Sequence, residues 1–185
     1  MQKMERRSFL AAASAALPVA LIGQSSNTPT TTKAVRVANG EDRLGEHHAI
    51  GVSSTAFKVL TQDTGGDLFI MQHANLKKGG PPRHLHHNED EWFYVLEGDY
   101  IAEIGTERFQ LKPGDSILAP RGVPHVWASV GEGPGKMLIA FAPANKMESF
   151  FRDNAKRRKD GDYLNEAAVY HAYGLELLGP PLSVG

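Results

Sequence analysis

The stretch His84-Leu85-His86-His87-Asn88-Glu89-Asp90-Glu91-Trp92-Phe93-Tyr94-Val95-Leu96-Glu97-Gly98 carries the strongest pattern in the chain. His84 and His86 stand two residues apart, so on a strand both imidazoles project from one face and His87 from the other. Asn88-Glu89-Asp90 can turn the chain, so that Glu91 opens a return strand whose same face carries Phe93 and Val95. Farther on, Pro120-Arg121-Gly122-Val123-Pro124 forms a tight turn that delivers His125 to a strand start, and Trp127 shares its face. Three imidazoles and one carboxylate converging inside a barrel suit one divalent transition metal: Fe, Mn, Ni, Cu or Zn. With no cysteine in the chain, thiolate ligands, disulfides and a Cys nucleophile are excluded.

Around this stretch the chain is a series of short apolar or alternating runs broken by Gly, Pro and Asp. They read as strands over Ala56–Gln62, Leu68–Asn75, His84–His87, Glu91–Leu96, Tyr100–Ile104, Arg108–Leu111, Ser116–Ala119, His125–Val130 and Lys136–Phe141. Short strands at this spacing predict an all-β barrel or flattened sandwich, not a parallel α/β sheet. After Pro143 the period changes. Met147, Phe150 and Phe151 sit at i, i+3 and i+4, which predicts a helix near 145–158 packed through those three side chains. Its basic end, Lys156 to Lys159, reads as a solvated helix terminus. Residues 161–185 read as a tail with one helical turn and a Pro-rich finish.

The N-terminus reads as an address. Arg6-Arg7-Ser8-Phe9-Leu10 leads into an apolar stretch ending at Ile22, too short for a membrane span. The paired arginines resemble a twin-arginine export signal, so residues 1–30 are expected to be signal and linker. The expected product is exported, periplasmic or extracellular, with no membrane attachment after signal removal. The folded domain is expected over 35–160.

Composition bounds the rest. The 185 residues, 41% hydrophobic and 22% charged, suffice for one domain. The formal net charge of −1 supplies no basic field to recruit nucleic acid.

The spacing also identifies a family resemblance. The chain resembles the cupin superfamily, whose first motif is HxH, four residues, Glu, six residues, Gly; His84, His86, Glu91 and Gly98 match it. The second motif is Gly, five residues, Pro-x-Gly, two residues, His; Gly114, Pro120, Gly122 and His125 match it. Two positions depart. The family's leading Gly falls at Lys78, with Gly79 and Gly80 just beyond, and the Asn that often closes the second motif is Ser129. The resemblance implies a double-stranded β-helix, an antiparallel jelly-roll barrel, here with a C-terminal helix. It also implies a homodimer paired through sheet edges or N-terminal strands. Similarity to quercetin-dioxygenase-like cupins implies a metal-dependent dioxygenase acting with O2 on a small phenolic, flavonol-like or enol substrate. In that reading Glu91 is both ligand and catalytic base. A non-redox isomerase, lyase or hydrolase, and a small-molecule-binding cupin without turnover, are the alternatives.

The remaining candidates are the pocket residues. Phe93, Val95 and Trp127 are expected to wall the site, Ser129 to alter its floor, and His73 to face either the cavity or the outside. Arg121 sits beside the second motif, where it can hold an anionic substrate. Arg83 falls on the outer face by alternation. His47 and His48 lie in a polar segment and read as surface residues.

Overall fold

The structure is a computed structural model that describes residues 33–46, 48–50, 53–159 and 167–184. The expected export signal, its linker and His47 lie outside the described residues. In chain order the elements are β1 (His48–Ile50), β2 (Ser53–Val59), β3 (Phe69–Asn75), β4 (Pro82–His86), β5 (Asp90–Glu97) and β6 (Tyr100–Ile104). There follow β7 (Glu107–Leu111), β8 (Ser116–Ala119), β9 (His125–Ser129), β10 (Gly135–Ala142), α1 (Met147–Lys159), α2 (Ala167–Ala172) and β11 (Leu175–Pro181). They form a six-stranded sheet in the order β1-β2-β3-β10-β5-β8 and a five-stranded sheet in the order β11-β4-β9-β6-β7. Strand pairing is antiparallel throughout, the jelly roll that the short runs predict.

Period-two alternation builds the interior in layers. In the six-stranded sheet, Glu91 and Phe69 both lie opposite Phe141, Phe93 and Met71 opposite Ile139, and Val95 and His73 opposite Met137. All nine are buried. In the five-stranded sheet, His84 pairs with His125, and Trp127 pairs with Ala102. The metal-type residues therefore share one end of the barrel, and the aromatic residues lie one layer deeper.

Helix α1 covers the ligand end, as the apolar period predicts. Met147 and Phe150 are buried, and the Phe151 ring lies 5.7 Å from Phe141 and 6.2 Å from Phe69. The Glu148 carboxylate accepts a hydrogen bond from the Thr61 amide at 2.8 Å and ties the helix to the barrel.

Two expectations are corrected. Residues 161–185 are not a simple tail, because α2 and β11 occupy much of that span and β11 pairs with β4. His48 is not a surface residue. It is buried, with its ring stacked 4.3 Å from Phe57, because β1 adds a short strand to the edge of β2. The displaced glycine before the first motif also gains a physical reason. Gly79 and Ser129 exchange backbone hydrogen bonds of 3.0 and 2.9 Å, and a Cβ on Gly80 would collide with the Trp127 carbonyl oxygen. The loop thus needs its glycine at 80.

Candidate metal centre

His84, His86, Glu91 and His125 come together as expected. One ligand-type atom from each lies within 4.8 Å of all the others, and all four side chains are buried. Strand β4 supplies the first two, and the turn at 87–89 brings Glu91 back on β5. The turn before β9 is fixed by the Gly122 amide, which donates to the His86 carbonyl at 2.7 Å. Glu91 Oε2 is the focus of the cluster: His125 Nε2 is 2.8 Å away, His86 Nε2 3.1 Å and His84 Nε2 3.9 Å.

The tautomers follow from the outer nitrogens. His84 Nδ1 lies 2.7 Å from the Pro82 carbonyl and His125 Nδ1 3.0 Å from the Val123 carbonyl. A carbonyl only accepts, so both Nδ1 atoms donate and both Nε2 atoms turn lone pairs towards Glu91. Such nitrogens beside a carboxylate oxygen need a proton or a cation among them. A metal bound at about 2.0–2.2 Å separates neighbouring ligand atoms by roughly 3 Å, so this donor set fits one.

Charge in the cluster follows the same logic. Burial would raise the Glu91 carboxyl, but the imidazoles of His125 and His86 against its Oε2 outweigh it and hold the group well below the usual carboxylate range. Burial opposes protonation of His86. Glu89 and Glu91 on its two nitrogens overcome that and push it up to about 9. Burial, then the neighbouring His125 and His86, push His84 down to about 3.

Glu89 was missed by the sequence reading, which takes Asn88-Glu89-Asp90 only as a turn. Its side chain is 1% exposed, and Oε2 lies 3.6 Å from His86 Nδ1. Among the described residues neither of its oxygens has a hydrogen-bond partner. The available signal was its i+3 spacing from His86.

The pocket candidates separate by depth. Phe93 and Trp127 line the layer next to the ligands, with ring centroids 6.3 Å apart and Phe93 6.4 Å from His125. His73 faces inward and meets Trp127 edge-on at 5.0 Å; burial pushes it down to about 4, so it stays neutral. Val95 and Ser129 each lie four residues along their strands from a ligand, about 13 Å at strand rise. They therefore belong to the far end of the barrel. Ser129 does not reach the ligands there, and Tyr100 lies opposite it.

Two outer residues are also placed. His87 faces outward beside Glu176 at 3.6 Å, as alternation predicts. Arg83 pairs with Glu103. Arg121 does not face a substrate, because its guanidinium grips both oxygens of Asp90 at 2.9 and 3.0 Å. That grip, with the Arg121 amide on Asp90 at 2.9 Å, ties the turn before β9 to the start of β5.

From the C-terminal segment comes a further neighbour that the sequence reading did not anticipate. Tyr170 of α2 places its buried ring 6.0 Å from His84. Burial, reinforced by the Glu91 charge, pushes its phenol up to about 12.

Known proteins bear on this geometry. Residues 72–141 match the cupin domain family. An oxidoreductase from Arthrobotrys oligospora is 30% identical over 84 residues, 43% of this chain and 33% of that protein. The chain spans less than half the length of the curated relatives it matches. The solved structure of an RmlC-like cupin from Shewanella frigidimarina superposes with a TM-score of 0.50 at 20% identity, covering 63% of this chain and 96% of that one. The polyketide cyclase RemF from Streptomyces resistomycificus gives 0.51 at 21% identity, over 60% and 80% of the two chains. Motif spacing and fold agree with this match: residues 72–141 match the cupin domain family, and the chain has the jelly-roll fold of the cupin structures.

Proposed function

We propose that the protein is a metal-dependent oxidoreductase, a dioxygenase acting with O2 on a small phenolic, flavonol-like or enol substrate. The observation that carries the reading is the buried cluster of three imidazoles and one carboxylate beside the aromatic wall of Phe93 and Trp127. When bound, the metal supplies a Lewis-acidic or redox centre with positions left open for substrate and O2. His84, His86 and His125 hold it through Nε2. Glu91 Oε2 takes the hydroxyl proton of the substrate, and Phe93 and Trp127 stack on a planar ring and keep water away. The oxidoreductase relative supports the redox side of the reading.

Metal analysis and an oxygen electrode test it. The purified protein is expected to carry one divalent transition metal and to consume O2 with a flavonol or catechol substrate, placing both atoms of one O2 molecule in the product. Equal turnover under strict anaerobiosis would replace this reading with a non-redox lyase, isomerase or hydrolase. Metal binding without turnover would leave a binding protein.

We propose also that the protein is exported through its twin-arginine segment and acts as a homodimer. Strands β1, β8, β11 and β7 end their sheets, and edge pairing between copies would satisfy their outer backbone groups. Light scattering at micromolar concentration is expected to give twice the chain mass. A single-chain mass would overturn the dimer.

A further inference from the structure

The matched cupin domain ends at residue 141, yet the chain returns to the ligand strand after it. Strand β11 lies along β4 with Leu175 opposite His86 and Leu177 opposite His84. The turn into β11 is tied to the first motif, since the His87 amide donates to the Gly174 carbonyl at 2.9 Å. Helix α2 is tied to the other side of the barrel mouth. Lys146 Nζ donates to the Ala172 carbonyl at 3.0 Å, and the Tyr173 hydroxyl donates to Asp153 at 2.6 Å.

Between these ties stands Tyr170. Its ring is 5% exposed, edge-on to His84 and 5.5 Å from Phe150. Among the described residues no hydrogen bond ties down its hydroxyl, and its ring is mounted against the ligand-type His84. A hydroxyl that no protein group engages keeps its hydrogen for an acceptor on a bound molecule. A rigid mounting for such a group, next to His84 of the ligand cluster, places it to meet a molecule bound there.

We propose that Tyr170 is a ligand-contacting residue, donating its hydroxyl hydrogen bond to an oxygen of a small enol- or phenol-type oxyanion held beside Glu91. This rests on the reading of the site as one for phenolic or enol substrates. Segment 167–181 then completes the site by presenting a neutral donor opposite the carboxylate. A phenol suits the task because it stays protonated at neutral pH and donates along one direction. A charged acceptor makes the bond stronger than one between neutral groups.

The test uses the full chain loaded with zinc, which cannot turn over by redox, and 4-nitrocatechol as probe, followed by its visible absorption without O2. Tyr170→Phe keeps the ring and removes the donor. It is expected to weaken 4-nitrocatechol about 10- to 100-fold while zinc content and melting temperature stay as in the unsubstituted protein. Equal binding by both proteins would overturn the Tyr170 role and leave the substrate reading standing. Loss of zinc from Tyr170→Phe would overturn it too, by showing that the residue supports the fold of the site. Failure of the unsubstituted protein to bind 4-nitrocatechol would overturn the substrate reading, and the inference with it.

Discussion

His86→Ala is expected to abolish metal binding and to lower the melting temperature by about 5–10 °C in metal-replete buffer. The estimate takes a metal held at about a hundredfold its dissociation constant, worth about 2.7 kcal/mol, at about 2–4 °C per kcal/mol for a domain of this size. His86 is the most consequential of the four to remove because it stands between two buried carboxylates. Its Nε2 faces Glu91 at 3.1 Å and its Nδ1 faces Glu89 at 3.6 Å. The substitution takes a ligand from the metal and the shared cation from both carboxylates, and a buried charge left unpaired is costly. His84→Ala, His125→Ala and Glu91→Ala are expected to empty the site as well. His87→Ala is the control, since that ring is outside and meets only the half-exposed Glu176, a contact of little worth. Atomic absorption and thermal melts with and without chelator check the set. Full occupancy in His86→Ala, or loss in His87→Ala alone, would show that the register of β4 is wrong.

The ligands were legible because their geometry is local. Period two fixes which faces His84, His86 and His87 take, Asn88-Glu89-Asp90 supplies the turn that returns Glu91, and the proline–glycine turn over 120–124 delivers His125. Phe150 and Phe151 were legible for the same reason at helical period. The C-terminal strand was hidden by its own composition. Leu175–Pro181 includes Gly179, Pro180 and Pro181, which argue against a central strand. As an edge strand β11 needs ladder bonds on one side only, which leaves prolines room there. Long-range pairing hid the rest. Arg121 is claimed by Asp90, 31 positions earlier, and His48 by the Phe57 ring on the next strand. Tyr170 reaches the site only because β11 lies on β4, so no local pattern announces it.

Glu89→Gln is expected to weaken metal binding about 10- to 100-fold and to lower the melting temperature of the metal-free protein. The three ligand imidazoles differ in what holds their outer nitrogen. Backbone carbonyls hold His84 and His125 at 2.7 and 3.0 Å, whereas His86 has the Glu89 carboxylate. An anion at that position makes the imidazole a stronger donor to a metal than a carbonyl does, because it stabilises positive charge developing on the ring. It also brings the buried negative charge to two with Glu91, a balance for a divalent cation. The amide keeps the shape and loses the charge. With the metal absent, His86 is the buried cation between Glu91 and Glu89, 3.6 Å from the Glu89 carboxylate, so removing the Glu89 charge takes away part of what balances it. The two effects therefore have the same sign: metal affinity falls, and the melting temperature of the chelator-treated protein falls with it. Competition titration against a chromophoric chelator and a melt of the metal-free protein read them separately. Unchanged affinity would show that His86 needs no carboxylate behind it, and an unchanged metal-free melt would show that Glu89 does not help to hold the His86 cation.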